Sequence, residues 1–88
     1  MLDTEIYVIS FESTHHAIKA EKEIKNNNIT IKTIPTPREV SSSCGLSLKF
    51  DYNDLNRIKN IIYDNDLCID GVFKIQKLKE GKVAKRIS

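Results

Sequence analysis

Short apolar or alternating runs occur at four places along the chain and predict strands. The first, Glu5 to Phe11 (EIYVISF), is rich in β-branched and aromatic residues, as a buried strand requires. The runs Ile29 to Ile34 (ITIKTI) and Gly45 to Phe50 (GLSLKF) alternate apolar and polar residues, which indicates half-buried strands. A last strand is predicted from near Gly71 to near Leu78.

Two segments between these runs have the apolar spacing of amphipathic helices. The first has Ala17, Ala20 and Ile24 on one helical face, with Ser13 or Thr14 as its N-cap, and ends at the asparagines of residues 26–28. The second is capped by Asp51 or Asn53 and closed by the run DND at residues 64–66. Its apolar face consists of Leu55, Ile58, Ile61 and Ile62.

The resulting order, β-α-β-β-α-β, predicts an α+β fold of the ferredoxin-like kind. This arrangement is a four-stranded antiparallel sheet with two helices on one face. We expect one domain over residues 1–88, with its core at about 5–78 and a basic, frayed tail at 79–88. In this topology the loop after residue 35, the start of the first helix and the turn that holds Cys68 lie along one rim of the sheet.

Charge and composition argue against several classes of partner. The 14 basic and 12 acidic residues nearly balance, and the net charge of +2 gives little reason to expect nucleic acid binding. No run approaches the roughly 20 apolar residues of a membrane-spanning helix, and the N-terminal run lacks the basic start of a signal peptide. Two cysteines are too few for a disulfide framework, so we expect a reducing cytoplasm.

The segment PTPREVSSSCG, residues 35–45, carries the strongest candidate chemistry, a thiol at Cys44. A cysteine is a nucleophile as a thiolate, and a helix N-terminus or nearby cations lower its pKa from about 8.5. The first helix could point its positive end toward this loop. Gly45 would leave space beside the sulfur. The remaining candidates supply charge or hydrogen-bond donors for an anion: Arg38, His15, His16, Ser41, Ser42 and Ser43.

Less reactive interpretations of these residues stay open. Cys44 could be an inert residue at a strand start. Cys68, between Leu67 and Ile69, is typical of a packed apolar residue. It would instead be a resolving thiol if its Cα came within about 7 Å of that of Cys44. The two histidines could simply face solvent at the helix start.

Other functions fit the pattern less well. His15, His16, Cys44 and Cys68 could in principle bind a metal, but their spacing identifies no such site, and none is predicted. A Cys–His hydrolase would need an oxyanion hole and a pocket that cannot be named here. Tyr7, Phe11 and Phe50 do not form the aromatic cluster of an RNA-binding sheet. A non-catalytic ligand-binding or protein-binding module remains the main alternative, because fold alone does not fix function.

From Glu5 to about Leu78 the chain resembles the small family of selenium/sulfur carrier-like proteins. The stretches that carry the resemblance are YVISFESTHHAIKAEKEIK, IKTIPTPREVSSSCGLSLKF and GVFKI, of which PTPREVSSSCG is the most specific. The resemblance implies a carrier, rather than a stand-alone enzyme, that holds sulfur or selenium on Cys44 as a persulfide or selenosulfide. Arg38 and the serine backbone would stabilise this charged cargo, and His16 would assist thiolate formation. The implied partners are a donor such as a cysteine desulfurase and an acceptor enzyme, with no cofactor.

Overall fold

Five strands form one antiparallel sheet in a computed structural model of the chain, which describes residues 4–40 and 45–87. Across the sheet the strands are ordered β2-β3-β1-β4-β5. In chain order the elements are β1 (Thr4–Phe11), α1 (Thr14–Asn26), β2 (Ile31–Pro35), β3 (Leu46–Phe50), a short 3₁₀ turn (Tyr52–Asp54), α2 (Leu55–Asp64), β4 (Ile69–Leu78) and β5 (Gly81–Arg86).

The α+β class, the two helices and the antiparallel sheet are confirmed, but the predicted number of strands was wrong. Residues expected to belong to a frayed tail form β5, which pairs with β4 from Leu78↔Gly81 to Phe73↔Arg86. Gly81 has φ = 136°, a backbone conformation that favours glycine and allows the chain to reverse there. The ferredoxin-like assignment concerned a four-stranded sheet and stays a prediction.

One face of the sheet, here called the helix face, packs against α1 and α2. Ser13 caps α1, and Asn28 ends the turn after the helix at φ = 61°, a conformation that asparagine tolerates. The main core lies between this face and the helices; its buried residues on β1, α1, α2 and their neighbours include Ile9, Phe11, Ala17, Ala20, Ile24, Leu48, Phe50, Ile58, Ile62 and Val72. Neither helix is long and apolar enough to cross a bilayer, within the part of the chain that is described.

The opposite surface, here called the open face, receives the alternate residues of each strand. A smaller apolar cluster of Val8, Val40 and Ile75 is buried there, and half-buried apolar side chains pack against it. Those half-buried residues are Ile6, Ile34, Phe73 and Ala84. Val40 comes from the β2–β3 loop, so this loop covers part of the open face.

A polar contact joins α1 to β2 on the helix face. The Thr33 hydroxyl donates to Glu21 Oε2 at 2.6 Å, and Lys25 Nζ lies 3.1 Å from the same oxygen. These two contacts stabilise the charged carboxylate and hold the pKa of Glu21 below its ordinary value of 4.5, with the Thr33 hydrogen bond as the larger cause.

Because the pKa of Glu21 is lowered by folding, its charge stabilises the folded state above pH 4.5, and this contribution is lost as the pH falls through the folded value. We expect Glu21→Gln to unfold at lower denaturant than the parent near neutral pH, with the difference shrinking at about pH 3. Urea unfolding at both pH values measures this.

The matched control for that measurement is Glu80→Gln, which changes an exposed carboxylate in the β4–β5 turn. Its unfolding midpoint should follow that of the parent at both pH values. A Glu21→Gln deficit that stayed constant on acidification would contradict the ionic origin of the effect.

Candidate functional site

The first turn of α1 is tied to the start of β4 through His16 and Cys68. Ser13 Oγ accepts a hydrogen bond from the His16 backbone N–H at 3.3 Å, which fixes the helix start. The Cys68 backbone N–H donates to His16 Nδ1 at 3.3 Å, and the Cys68 carbonyl accepts from the Glu12 N–H at 3.3 Å. The predicted proximity of the helix start and the Cys68 turn is therefore observed.

This geometry assigns His16 a definite tautomer. Since Nδ1 accepts a hydrogen bond from Cys68 N–H, the proton of the neutral ring lies on Nε2. His15 is exposed and approaches His16 edge-on, with ring centroids 6.1 Å apart. His16 thus orders the entry into β4 through Nδ1, and only Nε2 is left for the predicted assistance to a thiolate.

Cys68 is a free thiol with an exposed side chain. Its neighbours behave differently, because Leu67 is buried and Ile69 packs against the main core. The interpretation of Cys68 as a packed apolar residue was therefore wrong, since the chain turns it outward between two inward residues. Its suggested role as a resolving thiol stays a prediction.

The loop between β2 and β3 is held at its base and folds over the open face. The Thr36 N–H donates to the Gly45 carbonyl at 2.9 Å, and the Val40 N–H donates to the Pro37 carbonyl at 3.0 Å. Arg38 is exposed and has no ion pair within residues 4–40 and 45–87. Ser41, Ser42, Ser43 and Cys44 lie outside the described residues.

Gly45, the residue after Cys44, is exposed just before the start of β3, at one end of the sheet. A Cβ built on it would meet no atom within 4 Å, and its backbone does not require glycine. The predicted access to the Cys44 sulfur stays a prediction, because Cys44 lies outside the described residues.

The predicted site residues divide between the two faces of the sheet. His16 and Cys68 meet where α1 packs on the helix face, whereas Val40 places the described part of the loop on the open face. Within the described ranges, no hydrogen bond or ion pair joins Arg38 or Gly45 to either histidine. In those same ranges, no three His, Cys, Asp or Glu side chains form a metal-binding group.

Sequence reasoning missed a row of small and hydroxyl residues on the open face beneath this loop. Ser10 is paired with Ser47 on β3 and with Gly71 on β4. The Ser47 and Thr36 hydroxyls are 2.8 Å apart, while the fully buried Ser10 Oγ has no hydrogen-bond partner among the described residues. The serine in the otherwise apolar run YVISF, and the serine at a polar position of the alternating strand LSLKF, were the signal that could have revealed this row.

Residues 6–74 match the model of a protein family described as "Putative Se/S carrier protein-like". The chain belongs to this family. The match confirms the resemblance seen in the sequence, and it spans α1, the β2–β3 loop, Cys68 and the start of β4. Strand β5 lies beyond the matched residues. Comparisons with curated proteins and with solved structures give no match.

The two buried serines of the Se/S carrier-like chain should respond differently to the same substitution. Ser47→Ala removes the hydrogen bond to Thr36 and should lower the free energy of unfolding by about 0.5–1.5 kcal/mol. Ser10→Ala removes a buried hydroxyl that has no hydrogen-bond partner among the described residues. This substitution should leave the free energy of unfolding unchanged or raise it by up to about 1 kcal/mol. Urea unfolding of both variants measures the difference. Equal losses would show that Ser10 Oγ does form a hydrogen bond.

Proposed function

We propose that the protein carries a sulfur or selenium atom on Cys44 as a persulfide or selenosulfide, in a reducing cytoplasm, and passes it to an acceptor enzyme. The observation that carries this proposal is the family match over residues 6–74, because the matched span includes Cys44 and the whole PTPREVSSSCG segment. A donor such as a cysteine desulfurase would load the carrier.

Loading and unloading are two exchanges at sulfur. The Cys44 thiolate attacks the outer sulfur of a donor persulfide, the donor S–S bond breaks, and the donor cysteine leaves as a thiolate. Cys44 then holds the sulfane atom as a persulfide. In the second step an acceptor nucleophile attacks that outer atom, and the Cys44 thiolate leaves. No net oxidation or reduction occurs in either exchange, and selenium follows the same course.

The described residues beside Cys44 support an exposed carrier thiol. The Thr36–Gly45 hydrogen bond fixes the base of the loop, so a cysteine next to Gly45 would be presented at the end of the sheet where β3 begins. Arg38 offers an exposed positive charge that no described carboxylate neutralises, which favours an anionic persulfide. We propose that the backbone N–H groups of Ser41, Ser42 and Ser43 donate hydrogen bonds to the persulfide or selenosulfide.

The hydrogen bond of His16 to Cys68 restricts which of its ring nitrogens can contact a thiolate. Its Nδ1 accepts from Cys68 N–H, so the neutral ring carries its proton on Nε2 and would stabilise a thiolate by donating a hydrogen bond from Nε2. The exposed Cys68 is a second thiol on the same molecule. We also infer that β1 to β4 and the two helices represent the ferredoxin-like arrangement, extended by β5 at one edge; the strand order β2-β3-β1-β4 supports this inference.

Intact-mass spectrometry after incubation with a cysteine desulfurase and L-cysteine tests the carrier role. We expect an adduct of about 32 Da, or about 80 Da with selenocysteine, as persulfide chemistry at a thiolate requires. Cys44→Ser should abolish the adduct. Cys68→Ser is the matched control, because it removes the other thiol, and it should keep the adduct.

Two results would contradict this assignment. An adduct that survives in Cys44→Ser and disappears in Cys68→Ser would move the carrier function to Cys68. The lack of any adduct on the parent protein, under conditions where the desulfurase itself becomes persulfidated, would contradict the carrier function.

The pH dependence of thiol alkylation separates a carrier from a non-catalytic binding module. In the Cys68→Ser background the reaction reports on Cys44 alone. A carrier thiol should reach half its maximal alkylation rate below the ordinary value of about pH 8.5, because the thiolate is the reactive form. Arg38→Ala should shift that midpoint upward, since it removes a nearby positive charge. A midpoint near pH 8.5 in both proteins would favour the binding module.

A further inference from the structure

Two pairs of lysines stand directly opposite each other on the open face. Lys32 on β2 is paired with Lys49 on β3, and Lys77 on β4 is paired with Lys82 on β5. All four side chains are exposed, and none forms an ion pair with a described residue. Among described strand residues paired in register on this face, the charged ones are these four and Arg86, and all are positive.

Opposed like charges destabilise a sheet, so folding does not account for these pairs. On the helix face, a pair of opposed lysines is stabilised by a neighbouring carboxylate. There Lys74 is paired with Lys85, but Lys74 Nζ lies 3.0 Å from Glu5 Oε2. This contact raises the pKa of Lys74 and balances the charge. Neither open-face lysine pair has an ion pair with a carboxylate in residues 4–40 and 45–87.

Protection of the sheet edges explains only half of the pattern. Lysines on edge strands discourage pairing with a second sheet, and β2 and β5 are the edge strands. Lys32 and Lys82 fit this role. Lys49 and Lys77 lie on the inner strands β3 and β4, where no edge needs protection. No described carboxylate balances these two charges, and an acidic partner would do so.

The surface between the lysine pairs is apolar. Ile6 and Ile75 form the floor of a shallow groove of ≈ 260 Å³ whose sides include Lys77 and Lys82. Ile34 and Phe73 are half-buried on the same face. Val40 packs in the same apolar cluster as Ile75, so the apolar surface of this face includes a residue of the β2–β3 loop. Aliphatic side chains flanked by cations match an apolar side chain flanked by carboxylates.

We infer that the open face is the docking surface for the enzyme that supplies the sulfur or selenium atom, through an acidic surface of that enzyme with an apolar side chain at its centre. This inference rests on the proposed carrier function. A second copy of the chain is disfavoured, because its lysine pairs would meet like charges. Single-stranded RNA is disfavoured, because sheets that bind RNA stack bases on several aromatic residues, and Phe73 is the one aromatic residue at the described paired positions of this face.

The experiment compares two sulfur donors. One is a cysteine desulfurase with L-cysteine, which must dock before its persulfide meets the Cys44 thiolate. The other is inorganic polysulfide, which transfers its terminal sulfur to the same thiolate and leaves as a shorter polysulfide without docking. Initial rates of adduct formation at Cys44 are measured by intact mass in the Cys68→Ser background, which lacks the other exposed thiol, for the protein with no lysine change (the parent), Lys49→Glu and Lys82→Glu. Lys22→Glu, an exposed lysine on α1, makes the same charge change away from the open face.

We expect the desulfurase-dependent rate to fall roughly tenfold in Lys49→Glu and in Lys82→Glu, because charge complementarity controls the encounter rate. The polysulfide-dependent rate should stay unchanged in both variants, and Lys22→Glu should match the parent with both donors. The desulfurase-dependent rate of the parent should also decrease with added salt. Lys49→Glu faces Lys32 with an opposite charge, so its thermal unfolding midpoint should stay the same or rise, which excludes misfolding as the cause.

Each other outcome contradicts a separate statement. Equal slowing in Lys22→Glu, or no slowing in the open-face variants, would overturn the docking surface and leave the carrier function intact. Loading by polysulfide but not by the desulfurase would contradict the proposal that a cysteine desulfurase is the donor. The absence of loading by either donor would contradict the carrier function itself and the docking inference with it. Binding of a single-stranded RNA oligonucleotide that is lost in Lys49→Glu would assign the face to nucleic acid instead.

Discussion

The alternation of side chains along β1 is the constraint on which the rest of the structure depends. β1 lies at the centre of the sheet, so every second residue must pack under the helices and the others must face away from them. Ile9 and Phe11 enter the main core, while Val8 and Ser10 point to the open face. A chain of 88 residues can build one substantial core, which here lies under the helices. The open face has a smaller apolar cluster, to which Val40 is the contribution of the described part of the β2–β3 loop.

This division separates the candidate chemistry into two environments. On the helix face His16 and Cys68 are joined by a hydrogen bond, and the helix start is capped and ordered. On the open face lies the described part of the β2–β3 loop, with Arg38, which has no ion pair to a described residue, and the loop ends at Gly45 at the end of the sheet. The carrier function proposed for Cys44 would require access to two different enzymes more than it would require a pocket.

The sequence determined the elements with strong periodicity and left the loop directions open. Ala17, Ala20 and Ile24 predicted α1 because burial of one helical stripe is a local property of the chain. β5 was missed because its lysines and arginine dominate a short segment, and its pairing with β4 supplies the order that composition does not. The shared rim was deduced correctly for His16 and Cys68. The sequence did not indicate on which face of the sheet the described part of the loop packs, because this depends on the tertiary contact of Val40 with Val8 and Ile75.

The open face holds the polar and charged groups whose placement destabilises the fold without a compensating contact among the described residues. Ser10 buries a hydroxyl without a described partner, and Lys49 and Lys77 each oppose another lysine. On the helix face comparable groups are satisfied, as the contacts of Glu21 and Lys74 show. Folding stability alone would favour apolar or opposite-charge residues at all of these positions. Their concentration on one face fits the docking surface inferred above, where an acidic partner would balance the lysines after folding.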